Sequence, residues 1–402
     1  MLPLSPSRRD FCRNLVRGAL AFLPSTIAPR SAAAADFAAF IASLWPQAEA
    51  AGVSRATFEA ATASLTPESG VLAKPKAQAE FTITIPAYLA SAVTAARVAR
   101  GQHVAEQFAG PLDRAARRHG VPGEIIIAIL GVESNFGTAT GATDTLKVLA
   151  TLAWKGHRAE TFIAEFVDAL IMLEKGYAAR TQLRGSWAGA MGQPQFMPSA
   201  YLKFAESDAG AGAADIWGST PDAIASIANF LEKSGWVAGL PAIVEVVLPE
   251  NFDFAAFDLD FAAWRALGVA RADGATLPAS GAASLYLPAG ASGPAFLISD
   301  NFEVIRQYNT SDAYAMSVAV LAARIAGQDI PRAPWPRIAP LSTTEIRDMQ
   351  RLLTERGFYN GTLDGKLGRS SRNAIHAFQR AERIQPADGF ATKAVLARLK
   401  GR

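Results

Sequence analysis

Glu124-Ile125-Ile126-Ile127-Ala128-Ile129-Leu130-Gly131-Val132-Glu133-Ser134-Asn135-Phe136-Gly137 is the stretch that decides the fold. The run from Glu124 to Leu130 is apolar on nearly every face, so the helix it forms must be buried on all sides. Val121-Pro122 opens that helix, with Pro122 expected in the first turn, where its missing N–H has no partner to lose. Asn135 to Gly137 ends it. One carboxylate, Glu133, then falls at the end of an isoleucine-rich helix. Desolvation and the negative end of the helix dipole both oppose its ionised form. A carboxyl group kept protonated near neutral pH is what a general acid requires. Taken alone, the pattern also fits a surface glutamate at a helix end.

Some fifty residues on lies Ser186-Trp187-Ala188-Gly189-Ala190-Met191-Gly192-Gln193-Pro194-Gln195-Phe196-Met197-Pro198-Ser199. Its glycines would let the backbone approach a ligand closely. Ser186, Gln193 and Gln195 would offer hydroxyl and amide groups to a neutral polar ligand. The faces of Trp187 and Phe196 would suit the apolar faces of sugar rings.

Outward from these two segments, residues 36 to about 235 are alanine-rich and helical in pattern. Between about 240 and 300 the texture becomes strand-like, with Ile243 to Leu248 and Ala295 to Ile298 as strands between Gly- and Pro-rich turns. Helix returns at Tyr314 to Ile325. Pro331, Pro334, Pro336 and Pro340 then mark 328–341 as a semi-rigid linker. Ser342-Thr343-Thr344-Glu345 is a capping box, Ile346, Met349, Leu352 and Leu353 face the core of the helix it starts, and Gly357 stops that helix. The expected fold is mainly α, with a small β-containing insertion and a separate C-terminal module over 342–402.

A sequence pI near 9.0 invites a nucleic-acid reading. The charge distribution excludes it. Residues 1–35 carry five arginines and one acid, so the chain without them has a formal charge of −1 against +3 for the whole. That segment has the three parts of an export signal: Ser7-Arg8-Arg9-Asp10-Phe11 in twin-arginine form, an apolar stretch from Leu15 to Ala28, and the small residues Ala32 to Ala35. A periplasmic location is expected. The single cysteine, Cys12, lies inside the signal. The remaining chain therefore has no disulfide, cysteine nucleophile or thiolate metal site.

Glu133 followed by the Ser186-to-Ser199 motif resembles the membrane-bound-lytic-transglycosylase-B family of peptidoglycan enzymes (glycoside hydrolase family 103). The resemblance runs from about 36 to 327. It includes Glu80-Phe81-Thr82, Tyr88-Leu89, Ala150-Thr151-Leu152-Ala153, Ile305-Arg306-Gln307-Tyr308-Asn309 and Tyr314-Ala315-Met316. It implies a lysozyme-like helical core with an additional helical region and a small β domain. It also implies Glu133 as the catalytic acid/base, Ser186 and Asn309 as residues that orient the substrate acetamido group, and Gln195 as a sugar ligand. Tyr308 and Tyr314 become cleft residues. With a single carboxylate, the implied reaction has no attacking water: the muramyl C6 hydroxyl closes onto C1. No cofactor is expected.

Members of that family often carry a calcium loop after the second motif. Here it would run from Ser207 to Gly218, with Ser207, Ala209 and Ala211 where Asp or Asn oxygens are needed, so no metal is expected. His103, His119, His157 and His376 are dispersed and have no metal-ligand spacing. Residues 342–402 resemble the three-helix peptidoglycan-binding domain, through Gly357-Phe358-Tyr359-Asn360-Gly361, Asp364-Gly365, Phe378-Gln379 and Asp388-Gly389. Their 12 basic and 6 acidic residues give +6, suited to an anionic wall polymer. The expected partners are peptidoglycan glycan strands and other cell-wall enzymes, with no nucleic acid; the sequence sets no oligomeric state.

Overall fold

The computed structural model describes residues 29–72, 84–156, 158–250, 252–254 and 257–401. The twin-arginine motif, its apolar stretch and Glu80-Phe81-Thr82 lie outside the described residues. The first described helix, Pro29–Ser43, runs through the expected junction at Ala35 and Asp36.

The Gly123–Ser134 helix is the axis of the first lobe. Ile126, Ile127, Ala128, Ile129 and Leu130 are fully buried. Each large aliphatic side chain so buried contributes about 1.5–3 kcal/mol, which makes this helix the anchor of its lobe. It packs among the helices Ala95–Gln107, Ala109–His119, Thr220–Lys233 and Asp312–Ile325. Pro122 is one position earlier than expected. Its backbone is extended and its carbonyl accepts from Ile125 N and Ile126 N, so it caps the helix instead of joining the first turn.

A second lobe forms where the helices Thr145–Trp154 and Ala159–Glu174 pack on each other and on Pro29–Ser43, Arg55–Thr62 and Pro198–Phe204. Phe230 and Tyr308 are packed against both apolar cores. They mark the seam between the lobes. A two-residue antiparallel pair, β1 (Thr143–Asp144) with β2 (Arg184–Gly185), leads into the Ser186 segment.

The insertion is a five-stranded antiparallel sheet of β3 (Ile243–Val247), β4 (Asp258–Asp260), β5 (Ala270–Arg271), β6 (Ala282–Tyr286) and β7 (Ala295–Ile298), in the order β4-β6-β7-β3-β5. The two strands legible in the sequence are neighbours, with Ile243 opposite Ile298. The sheet keeps its own core around Phe261, Trp264 and Leu297.

The C-terminal module is the three helices Thr343–Glu355, Arg369–Ala381 and Lys393–Leu399. Ser342 and Glu345 form both bonds of the capping box. The proline-rich segment is not a loose spacer. Arg332 N and Ala333 N donate to the buried Glu245 carboxylate at 2.8 and 3.0 Å, and Trp335 packs on the first lobe. Proline content sets stiffness, but the buried acceptor that straps the segment down lies nearly ninety residues away in sequence. The module is docked on the sheet: Ala291 N donates to Asp388 Oδ2 at 2.9 Å, Arg380 pairs with Asp253 at 3.2 Å, and the rings of Phe257 and His376 meet edge to face at 4.9 Å. Among the described residues, no helix is long and apolar enough to cross a membrane.

Candidate active site

Glu133 occupies the last turn of the Gly123–Ser134 helix and is half-buried. The chain leaves that helix through three left-handed residues, Asn135, Phe136 and Gly137, with φ of 50°, 58° and 78°. Two of them carry side chains, so the turn is strained and must be held by its surroundings. The Phe136 ring does this by folding back over Gly131, where an added Cβ would lie 2.6 Å from the ring. Ser134 Oγ accepts from Gly137 N at 3.0 Å.

The Tyr314 hydroxyl donates to Glu133 Oε1 at 2.6 Å. Tyr314 is 2% exposed, so its direction is set by the core of the Asp312–Ile325 helix. Tyr308 stacks on it at 6.4 Å and 14°, and its own hydroxyl donates to Pro194 O at 2.6 Å. Burial, then the neighbouring Glu133 charge, push both phenols well above the ordinary tyrosine value. Both therefore stay protonated and act as donors at any physiological pH.

The second segment reaches the same place from the other lobe. Ser186 Oγ accepts from Ala188 N and Ala190 N at 3.3 and 3.2 Å, which fixes the hydroxyl oxygen in a tight turn. Gln195 has a left-handed backbone, φ 54°, and its Nε2 donates to Thr140 O and Gly192 O at 3.0 and 2.8 Å. This ties the segment to the loop that follows Glu133. At Gly141 the two backbones touch: an added Cβ would lie 2.2 Å from Gly185 O and 2.7 Å from Ser186 N. The glycines in this region bring backbone against protein, not only against a ligand.

Two expectations are corrected. Phe196 is 2% exposed and packs on Tyr308 and Phe230, at centroid distances of 5.9 and 6.0 Å, so its face is not offered to a sugar. Gln193 is 5% exposed, donates to Trp217 O and accepts from Thr220 Oγ1, so its amide is spent inside the protein. Trp187 is exposed. Asn309 follows the Asp300–Tyr308 helix with extended backbone, directly beside Tyr308. Phe230 joins the lobes through Phe196, Phe204 and Tyr308, a role that the sequence does not mark. An aromatic in an amphipathic helix gives no signal of which neighbour it meets.

The Ser207-to-Gly218 loop is closed by carboxylates that accept backbone N–H groups. Asp222 takes Asp208 N and Asp215 N at 3.1 and 2.8 Å, and Asp215 Oδ1 takes Trp217 N and Gly218 N. With Ser207, Ala209 and Ala211 at the ligand positions, these residues do not fit a calcium ion.

Residues 36–323 match the family described as Transglycosylase SLT domain. The chain belongs to that transglycosylase family. Residues 342–399 match a peptidoglycan binding domain. SltB3 of Pseudomonas aeruginosa, solved in complex with NAG-anhNAM-pentapeptide, is 40% identical; the match covers 90% of this chain and 99% of that one, with a TM-score of 0.83. Membrane-bound lytic murein transglycosylase B of Escherichia coli (strain K12) is 35% identical over 240 residues, which are 58% of this chain and 65% of that protein's length. The Escherichia coli lytic transglycosylase Slt35, solved in complex with calcium, is 30% identical with a TM-score of 0.60, over 74% of this chain and 94% of that one.

Proposed function

We propose that the protein is a lytic transglycosylase that cleaves the bond between N-acetylmuramic acid and N-acetylglucosamine in peptidoglycan and leaves a 1,6-anhydromuramyl end. One observation carries the reading. Glu133, held by the Tyr314 hydroxyl with Tyr308 stacked beside it, lies at the seam where Tyr308 bonds to Pro194 O and Gln195 to Thr140 O, and among these residues and Ser186 it is the single carboxylate.

Glu133 gives its proton to the glycosidic oxygen. The muramyl N-acetyl oxygen stabilises the cation that develops at C1. The glutamate, now ionised, takes the proton of the C6 hydroxyl as that oxygen bonds to C1. Tyr314 steadies the carboxylate through the cycle, because its hydroxyl donates and is not deprotonated. Ser186 and Asn309 orient the acetamido group. Gln195 offers Oε1 to the sugar, and Trp187 its exposed ring. The solved complexes of SltB3 with NAG-anhNAM-pentapeptide and NAG-NAM-pentapeptide support this substrate class. Export through residues 1–35 would deliver the enzyme to the periplasm, where its polymer lies, and replacing Arg8 and Arg9 with lysines should hold the precursor in the cytoplasm.

Mass spectrometry of products from purified murein tests the chemistry. Anhydro ends, lighter than reducing ends by one water, are expected. Reducing ends alone would make the enzyme a hydrolase. Glu133→Gln should fold normally and lose activity by roughly a thousand-fold or more.

A further inference from the structure

The segment between Tyr308 and Tyr314 is held from three sides. From its own side, Arg306 Nε pairs with Asp312 Oδ1 at 2.9 Å and Arg306 Nη2 donates to Thr310 O at 3.5 Å. From the sheet, Tyr286 Oη donates to Asp312 Oδ2 at 3.3 Å. From the C-terminal module, Arg372 Nη1 and Nη2 reach the same Oδ2 at 3.3 and 3.4 Å, with the guanidinium 5.1 Å over the Tyr286 ring. Asp312 is the first residue of the helix that carries Tyr314, and Asn309 lies three residues before it.

We infer that the C-terminal module is part of the catalytic apparatus, with Arg372 as a positioning residue that acts through Asp312 on Asn309 and Tyr314. This rests on the proposed transglycosylase site. A module that served only as an anchor to the wall would have no need to place a cation on the helix that orients the acid. Two features make the contact stiff. The guanidinium lies over an aromatic face as well as against a carboxylate, and withdrawing Arg372 removes one of the two cations on Asp312 and leaves Oδ2 to the Tyr286 hydroxyl. The polar cleft around it is lined by residues of all three parts, among them Ser284, Glu303, Arg306 and Asn373. The linker bonds at Glu245 and the Asp388 bond to Ala291 keep the module seated there.

The test uses full-length enzyme and a short soluble oligomer of alternating N-acetylglucosamine and N-acetylmuramic acid, too small to engage a wall anchor. Arg372→Ala should lower kcat by about ten-fold, with KM within about two-fold of wild type. Arg372→Lys should recover most of the loss. Asp312→Asn should resemble Arg372→Ala, and the double variant should be no slower than the slower single one, because both remove one link. Cosedimentation of Arg372→Ala with sacculi should match wild type, and melting curves confirm that each variant folds. An unchanged kcat for Arg372→Ala, or losses that multiply in the double variant, would overturn the inference. Glu133→Gln in the same assay separates this outcome from the parent reading: retained cleavage there would sink the assignment of the acid itself, while its silence beside a normal Arg372→Ala would sink the positioning role alone.

Discussion

A buried tyrosine is an expensive way to hold a carboxylate unless the hydrogen bond is made, because an unpaired buried hydroxyl costs about 1–3 kcal/mol. Tyr314 makes that bond to Glu133. Tyr314→Phe keeps the ring and its packing and removes only the donor. Its kcat should fall about ten- to a hundred-fold, with a melting temperature near that of wild type; unimpaired turnover would show that Glu133 needs no such support. At Gly141 a methyl group has nowhere to go, since the nearest atoms are backbone and the φ is +83°. Gly141→Ala should destabilise the fold by about 1–3 kcal/mol, measurable by denaturant titration, and displace Ser186. At this scale the sequence reveals residue types better than directions. Glu133, Ser186, Gln195 and Asn309 stand out by motif. That Phe196 and Gln193 turn inward does not, because an aromatic or an amide in a glycine-rich run fits a ligand and a core equally well until the opposite wall is known.

Elements were legible where local chemistry alone defines them. The Gly123–Ser134 helix, the paired strands β3 and β7, and the Ser342 capping box all follow from patterns a few residues long. Shorter strands such as β4 and β5 have two or three residues and no pattern of their own; pairing creates them. The proline segment shows the limit most clearly. Its stiffness is local, but its position is set by Glu245, which is buried in β3 and accepts three hydrogen bonds from Arg332 N and Ala333 N. Glu245→Ala should release the segment at a cost of about 2–3 kcal/mol. Limited proteolysis should then cut within 328–341 in the variant faster than in wild type; equal rates would mean that Trp335 and the module contacts hold it unaided.

At the scale of the whole molecule, charge is divided. The module carries +6 and residues 36–341 carry −7. Retention on sacculi should therefore fall as salt rises from about 50 to 500 mM, because the Debye length shrinks over that range. Salt-independent retention would point to uncharged sugar contacts. EDTA should leave the melting temperature unchanged, since the Ser207-to-Gly218 loop is closed by Asp215 and Asp222 on backbone N–H groups; a drop reversed by calcium would refute that. The domain order was legible from motifs. The docking was not, because the Asp388, Arg380 and Arg372 contacts join distant parts of the chain through surfaces that exist only after folding.

The bond between Tyr314 and Glu133 spans 181 positions of chain, and the one between Arg372 and Asp312 a further 60. On the ribosome these arrive in order. When Glu133 emerges, the phenol that holds it has not been synthesised, and when that phenol emerges its helix still lacks the cation from the module. Domains form largely from the N-terminal end during synthesis, but the helix of Glu133 packs on Asp312–Ile325, so neither its burial nor the support of its acid is complete until that later helix is made. The support of the acid is thus among the last things synthesis completes, and a chain broken off before residue 314 has the glutamate without the tyrosine that holds it.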